Sequence, residues 1–254
     1  MTRALAGDFG YDTHGTGYTR RRRTDPRIAA LVHTALGDAK TLLNVGAGSG
    51  SYEPTDRYVA ALEPSAAMRA QRPATAVPAV DGIAEHLPFD DNSFDAVMAM
   101  ITVHQWTDTG KGLAELRRVS RGPVVVLTFD GDALDRFWLA GYAPELIAAE
   151  RRRYPAIDTI AAAIGSTATV TEVAIPVDCV DGFTEAFYAR PEMFLDPQVR
   201  SSQSAWGFVD PESIERTVAR LRSDLQSGQW EQKYGHWVTQ PTFTGSLRLI
   251  VGQP

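Results

Sequence analysis

Apolar and polar residues alternate in two different rhythms along the chain. In the first half, five short β-branched or apolar runs, at 41–45, 58–62, 76–80, 94–100 and 123–129, are bounded by Gly, Pro, Asp or Asn and separated by amphipathic stretches. Runs of that length with that punctuation predict strands. The stretches 26–36, 65–72 and 109–119 predict helices, and in the last of them Leu113, Leu116 and Val119 recur at three-residue spacing on one face. Such strand–helix alternation predicts a doubly wound α/β unit, a parallel sheet with crossover helices.

The second half follows a different plan. Helical patterns at 133–153 and 157–164 lead into an alternating strand at 169–177, and the run 246–251 alternates Leu247, Leu249 and Val251 with Ser246, Arg248 and Ile250. That last run completes the sheet as an edge or penultimate strand. The segment 180–240 then becomes a helical insertion before the last strand, rich in rings that include Phe183, Phe194, Trp206, Trp230 and Trp237. Those rings suit a small helical core, a dimer contact or a cover over a substrate.

Length and composition narrow the class. At 254 residues, 44% apolar and 22% charged, the chain is expected to form a single globular domain, 1–254. The lone Cys179 has no internal disulfide partner and reads as buried filler. The first residues lack the apolar core of a signal peptide, and no run approaches the ~20 apolar residues of a membrane span, so the expectation is a cytoplasmic protein without a membrane partner. The net charge of −6 supplies no field for a phosphate backbone, and the basic runs 20–23 and 151–153 are isolated. A nucleic acid partner is therefore not expected, and the acceptor is expected to be a small molecule. Either a monomer or a homodimer fits the composition.

The most informative stretch is Leu42-Leu43-Asn44-Val45-Gly46-Ala47-Gly48-Ser49-Gly50, a strand that runs straight into a glycine-rich turn. Glycines there permit a tight turn and a close approach of backbone to ligand. The second strand ends at Glu63, 17 positions after Gly46, where a carboxylate can accept both hydroxyl protons of a ribose. The third glycine of the dinucleotide fingerprint is missing, since residue 51 is Ser. A nucleoside that is not a dinucleotide is the reading that follows, against a turn needed only for packing with Glu63 as a helix-leading acid.

Three ordered motifs make a resemblance explicit: the glycine turn 44–50, then Ala61-Leu62-Glu63-Pro64-Ser65-Ala66-Ala67-Met68, then Ala84-Glu85-His86-Leu87-Pro88-Phe89-Asp90-Asp91-Asn92-Ser93-Phe94-Asp95-Ala96-Val97. Together they resemble the class I S-adenosylmethionine-dependent methyltransferases, in particular their ubiquinone-biosynthesis-like small-molecule branch. The resemblance covers about residues 40–130, with Tyr11, Asp12, Tyr18 and Arg22 loosely similar to that branch's entry segment. It implies a Rossmann-like α/β fold with a mostly parallel seven-stranded sheet, helices on both faces, a cofactor core at 40–130 and an entry or lid segment at 1–36. It implies S-adenosylmethionine as cofactor and S-adenosylhomocysteine as product. Asn44, Gly46, Ala47, Gly48 and Gly50 would wrap the amino acid part, Glu63 the ribose, and Pro64 and Met68 the adenine flanks. Ala84 and Glu85 would meet the adenine edge, Tyr18 would reach the cofactor from the entry segment, and Ile101 to Trp106 would face the sulfonium and substrate. The chain departs from the family pattern in three places: Ile83 stands where an Asp is common, Asn44 replaces an acidic residue, and 51–57, with Pro54, leaves room for one helical turn at most.

Methyl transfer from a sulfonium depends mainly on alignment, which contributes roughly 7–11 kcal/mol for well-oriented reactants. Where the nucleophile must also lose a proton, His104, just past the fourth strand, is the candidate base, and a packing residue beside Trp106 is the equal alternative. His14 and Trp106 are the candidate substrate contacts, with His14 and Tyr18 as second choices for the chemistry. The arginines 20–23 suit either an acidic ligand or, more simply, a solvated charge run. His33, His86 and His236 lack metal-ligand spacing, so no metal is expected. Two other activities share the cofactor reading: an enzyme that cyclises or cleaves rather than methylates, and a non-catalytic partner subunit.

Overall fold

A computed structural model of the chain describes residue 10 and residues 21–254. Its strands are β1 (Thr41–Val45), β2 (Tyr58–Leu62), β3 (Ala79–Val80), β4 (Ala96–Met100), β5 (Val124–Phe129), β6 (Thr167–Glu172), β7 (Ile175–Pro176), β8 (Thr242–Phe243) and β9 (Leu247–Gln253). The helices are α1 (Pro26–Ala35), α2 (Ala66–Arg69), α3 (Thr109–Val119), α4 (Pro144–Arg153), α5 (Ile157–Ile164), α6 (Pro197–Ser201), α7 (Pro211–Ser227) and α8 (Gln229–Tyr234). Seven strands form one sheet in the order β3-β2-β1-β4-β5-β9-β6; β1 to β5 pair in parallel, and β9 runs antiparallel to both β5 and β6. The last strand is thus the penultimate one of the sheet. This is the Rossmann-like arrangement that the alternation of runs predicts.

The strand sequences explain why both faces are covered. Leu42, Ala96, Met98, Val125 and Leu127 enter one core cluster, whereas Leu43, Val45, Val97, Ala99, Val124 and Val126 enter the other. This period-two division of nearly continuous apolar runs requires helices on each side. Ile28, Val32 and Leu36 of the first helical segment fill the first face; Leu113, Leu116 and Val119 of α3, with Ile160 and Ile164 of α5, fill the second.

Residues 180–240 pack entirely on the first face. Trp138 is the hub: its indole N–H donates to the Tyr188 carbonyl at 2.8 Å, and its ring meets Trp230 and Phe194 edge-on, with centroids 5.4 and 5.7 Å away. Most of the rings therefore serve as core, and each fully buried one stabilises by roughly 2–3 kcal/mol.

Several element boundaries differ from the sequence pattern. The expected strand at 76–80 shortens to β3, because Pro78 lacks an N–H for a ladder bond and only residues 79 and 80 pair with β2. The expected helix at 65–72 is the single turn α2, capped by the Ser65 hydroxyl, which accepts from Met68 N–H. The run 133–153 begins as two 3-10 turns before α4 starts at Pro144. The strand expected at 169–177 divides: β6 pairs with β9, then the chain leaves the sheet so that β7 pairs with β8. Among the described residues no helix is long and apolar enough to cross a membrane.

Asp95 sets the register at the start of β1 and β4. Its carboxylate accepts the N–H groups of Lys40 and Thr41 at 2.9 and 2.8 Å and pairs with Arg121, while its own N–H donates to Thr41 Oγ1. These donors hold its carboxyl down at about 2. Asp95→Ala is expected to cost about 1–2 kcal/mol in urea unfolding. Because the folded-state value lies below the ordinary 3.8, the contribution is complete above that pH and disappears as pH falls through about 2, so parent and variant converge in strong acid.

Candidate active site

The turn after β1 is held open by backbone geometry. Gly46 has φ +67°, and a Cβ there would overlap the Thr102 side chain, so only glycine lets β1 turn against the segment that follows β4. Ala47 N–H donates to the Leu62 carbonyl at 3.0 Å, and Gly48 N–H donates to Glu63 Oε2 at 2.8 Å. The second carboxylate oxygen of Glu63 accepts Ser65 N–H at 2.8 Å. Glu63 is buried, and this desolvation pushes its carboxyl above the ordinary range despite those two donors and the nearby Arg69 and Arg72. It therefore faces into the bend between β1 and β2, away from bulk water.

Three clefts meet around this turn. The first, of about 550 Å³ and open to solvent, is lined by Asn44, Gly46, Ala47, Gly48, Glu63, Met68 and Ile101. The second, of about 450 Å³, shares Arg22, Ile101 and Gln105 with the first and continues over His104, Phe129 and Tyr154. The third, of about 330 Å³, shares Gly46 and Glu63 with the first and extends over Pro64, Ile83, Ala84, Glu85 and Trp106. Gly50 lies behind the turn, its N–H donating to the Ala47 carbonyl. Glu85 is buried, and its carboxylate accepts Asp108 N–H at 3.0 Å ahead of α3.

Ile101 divides the first cleft from the second. It has φ +53°, a left-handed conformation that costs a β-branched residue roughly 1–3 kcal/mol. Its N–H donates to the Leu127 carbonyl at 2.7 Å, so the edge of β5 holds it there. Strain of this kind persists where the surrounding structure over-determines it, here at the junction of two clefts.

The structure places two of the sequence candidates. Trp106 belongs to the third cleft, on the Ala84 and Glu85 side, because its ring lies against Gly112 of α3, where a Cβ would collide with it. It is not among the residues that line the second cleft. The arginine run is not simply solvated: Arg22 is mostly enclosed, lines the first two clefts and pairs with buried Asp181 at 2.6 Å, whose other oxygen accepts the Tyr52 hydroxyl at 2.7 Å. His104 is buried beside Tyr154, 4.8 Å between ring centroids, and opens onto the second cleft with Nδ1 unpartnered. Burial, with Arg153 and Arg22 nearby, pushes its imidazole well below the ordinary value, so it is neutral at pH 7. His14 and Tyr18 lie outside the described residues.

Sequence reasoning missed the lock beneath the turn. Asn44 Nδ2 donates to Glu53 Oε1 at 2.9 Å, and Arg72 places its Nη2 on both Glu53 oxygens at 2.9 and 2.7 Å and its Nη1 on the Gly48 carbonyl at 3.3 Å. Asn44 Oδ1 is left buried without a hydrogen-bond partner. An orphaned acceptor on the wall of the first cleft fits a ligand that carries N–H donors, such as an amino acid ammonium. Together with the glycine cradle and the inward carboxylate, it suits both ends of a nucleoside joined to an amino acid.

Residues 43–126 match the family model of the methyltransferase domain. A protein of Anabaena variabilis named "putative methyltransferase from antibiotic biosynthesis pathway" superposes with a TM-score of 0.85 at 28% identity, covering 92% of this chain and 99% of that one. Residues 43–126 are a methyltransferase domain of the class I, S-adenosylmethionine-dependent type. The superposition leaves too little of the chain uncovered to contain all of 180–240, so most of that segment belongs to the architecture shared by the two methyltransferases. A methyltransferase of Thermotoga maritima shares the fold at TM-score 0.58 and 15% identity, covering 96% of this chain and 97% of that one. The uncharacterised protein YafE of Escherichia coli is 42% identical over 48 residues, which span 18% of this chain and 23% of that protein.

The lock beneath the methyltransferase turn makes a direct prediction. The Arg72 and Glu53 side chains are 4% and 9% exposed, so Arg72→Ala leaves a carboxylate enclosed without its counter-charge. Urea unfolding should register a loss of about 3–5 kcal/mol, and Arg72→Met combined with Glu53→Gln should recover most of it.

Proposed function

We propose that this protein binds S-adenosylmethionine along the first and third clefts and catalyses methyl transfer to an O, N or C nucleophile of a small molecule held in the second. The observation that carries the reading is the shared wall: Ile101 and Gln105 border both the cleft that contains the glycine turn and the one that contains His104. In this assignment Asn44 Oδ1 and the backbone of Gly46, Ala47 and Gly48 hold the amino acid end. Glu63 takes the ribose, with Met68 beside the turn, and Pro64, Ala84, Glu85 and Trp106 border the base. Ile83 offers no hydrogen bond to an adenine amino group, so recognition of that edge falls to backbone groups and shape.

When bound, the cofactor supplies a methyl group already activated by its positive sulfur. The protein's part is alignment and exclusion of water. Ile101 sets the boundary across which nucleophile and methyl meet. His104, neutral and buried, accepts the Gln105 amide N–H at Nε2 and so carries its own N–H on Nδ1, beside the place of the acceptor. Arg22, tied to Asp181, borders the junction of the first two clefts, and Phe183, Thr184, Gln203 and Ser204 carry the 180–240 cover to the second cleft. A cleft bordered by rings and a few buried polar groups suits a small molecule.

Calorimetry with S-adenosylhomocysteine tests the reading. Glu63→Gln keeps the shape of the side chain but turns an amide NH2 toward one of the two backbone N–H groups, so it should weaken binding by about tenfold or more and also lower Tm. Incubation with methyl-labelled donor and a metabolite extract should transfer label to a small molecule. Failure of the parent protein to bind either S-adenosylmethionine or S-adenosylhomocysteine would refute the assignment.

A further inference from the structure

The second cleft holds more ionisable chemistry than alignment uses. Glu150 on α4, Glu185 in the turn at 184–187 and His104 all line it, at 6%, 2% and 8% exposure. Their commitments differ. Glu185 accepts Ser246 N–H with both oxygens at 3.0 Å, which ties it to the entry of β9. Glu150 lies beside the Thr184 side chain. The Thr184 hydroxyl, however, donates to Gln203 Oε1 at 2.9 Å, and that oxygen also accepts the Trp206 indole N–H at 3.1 Å. An amide oxygen only accepts, so Thr184 turns a lone pair, not a proton, toward Glu150. A protonated Glu150 satisfies that lone pair; an ionised one needs donors from a ligand.

The other groups facing this carboxyl point the same way. Arg22 is bonded to Asp181, and Arg153 donates to Ser204 Oγ at 3.1 Å while lying 4.6 Å over the Phe208 ring. Glu185 adds negative charge. Around the carboxyls stand the rings of Phe129, Tyr154 and Phe183, with Phe129 5.5 and 5.4 Å from the other two, and ring faces attract cations. Carboxyl and ring faces on one cleft together match an ammonium group on an apolar body.

We propose that the second cleft receives an alkyl or arylalkyl amine, that Glu150 takes the proton from its ammonium group, and that the neutral nitrogen so formed is the methyl acceptor. The inference rests on the methyltransferase reading above and names its substrate class. In the proton step an N–H bond breaks and an O–H bond forms on Glu150. Enclosure favours this step by lowering the amine's hold on its proton, while burial and Glu185 raise Glu150 to about 7. In the transfer step the nitrogen lone pair forms the N–C bond as the C–S bond breaks, and that pair stays on sulfur. The products are a methylated ammonium and the thioether, and Glu150 returns its proton to solvent.

Calorimetry on protein saturated with S-adenosylhomocysteine tests this with matched amine, alcohol and carboxylate trios at three sizes: butyl, 2-phenylethyl and 2-indolylethyl. At least one amine should bind about tenfold or more tightly than both its counterparts. Its affinity should rise as pH passes upward through about 7, because Glu150 and its neighbour Glu185 both ionise there while an alkyl ammonium stays charged. Glu150→Gln should abolish the preference and leave S-adenosylhomocysteine affinity unchanged. The proposal is overturned if no amine surpasses its alcohol and carboxylate, including by failing to bind, or if Glu150→Gln retains the preference. Comparison of the trios on the parent protein decides the matter even if the variant does not fold. Loss of S-adenosylhomocysteine binding by the parent would instead count against the methyltransferase reading itself.

Discussion

The Glu63 carboxylate holds two stretches of chain by their backbone N–H groups, and the geometry of the site depends on that bond pair. One oxygen takes Gly48 N–H from the turn after β1, the other Ser65 N–H ahead of α2. Two parallel strands leave their ends side by side but do not fix the loops beyond them. A buried carboxylate that bridges the loops does, and it leaves remaining lone pairs directed into the bend. The price is desolvation, visible in the upward displacement of its carboxyl, and donors from both loops are what make that tolerable.

From that bridge the site extends by contacts that each depend on the previous one. With Gly48 fixed, Gly46 can press against Thr102, which brings the segment after β4 beneath the turn. Thr102 follows Ile101, whose left-handed backbone is held by the Leu127 carbonyl of β5. Three neighbouring strands thus meet at one residue, and the cleft on either side of it inherits a wall that cannot relax without breaking the sheet edge. Alignment chemistry needs a boundary of this stiffness, since misplacement by about 1 Å can cost about a hundredfold in rate.

How much of this was legible in the sequence follows from how local each interaction is. The strands β1, β2 and β5 and the helix α3 announce themselves because runs such as Val124 to Phe129, or the spacing of Leu113, Leu116 and Val119, carry their own period and punctuation. Glu63 was readable because its distance from Gly46 is set by one strand–loop–strand unit. Arg72 and Glu53 were not: their pairing crosses from the loop after β1 to the end of α2, and neither residue carries a local signal. The direction of Trp106 was hidden for a related reason, since it is decided by the absence of a side chain at Gly112, six residues on. The division of 169–177 into β6 and β7 likewise depends on β8, some 65 residues away in the chain.

The treatment of enclosed charge separates framework from chemistry in this molecule. Arg72 faces Glu53, Arg22 faces Asp181, and Arg248 reaches Asp130, so each of these buried guanidiniums has its carboxylate. Such pairs fix geometry more than they stabilise, because desolvation consumes most of their attraction. Glu150 breaks the pattern: among the described residues no guanidinium bonds to it, and its threonine neighbour offers a lone pair. A carboxyl enclosed on the wall of a cavity without a donor is completed by a group that enters the cavity with a proton to give, and that is the place of the amine in the proposal above.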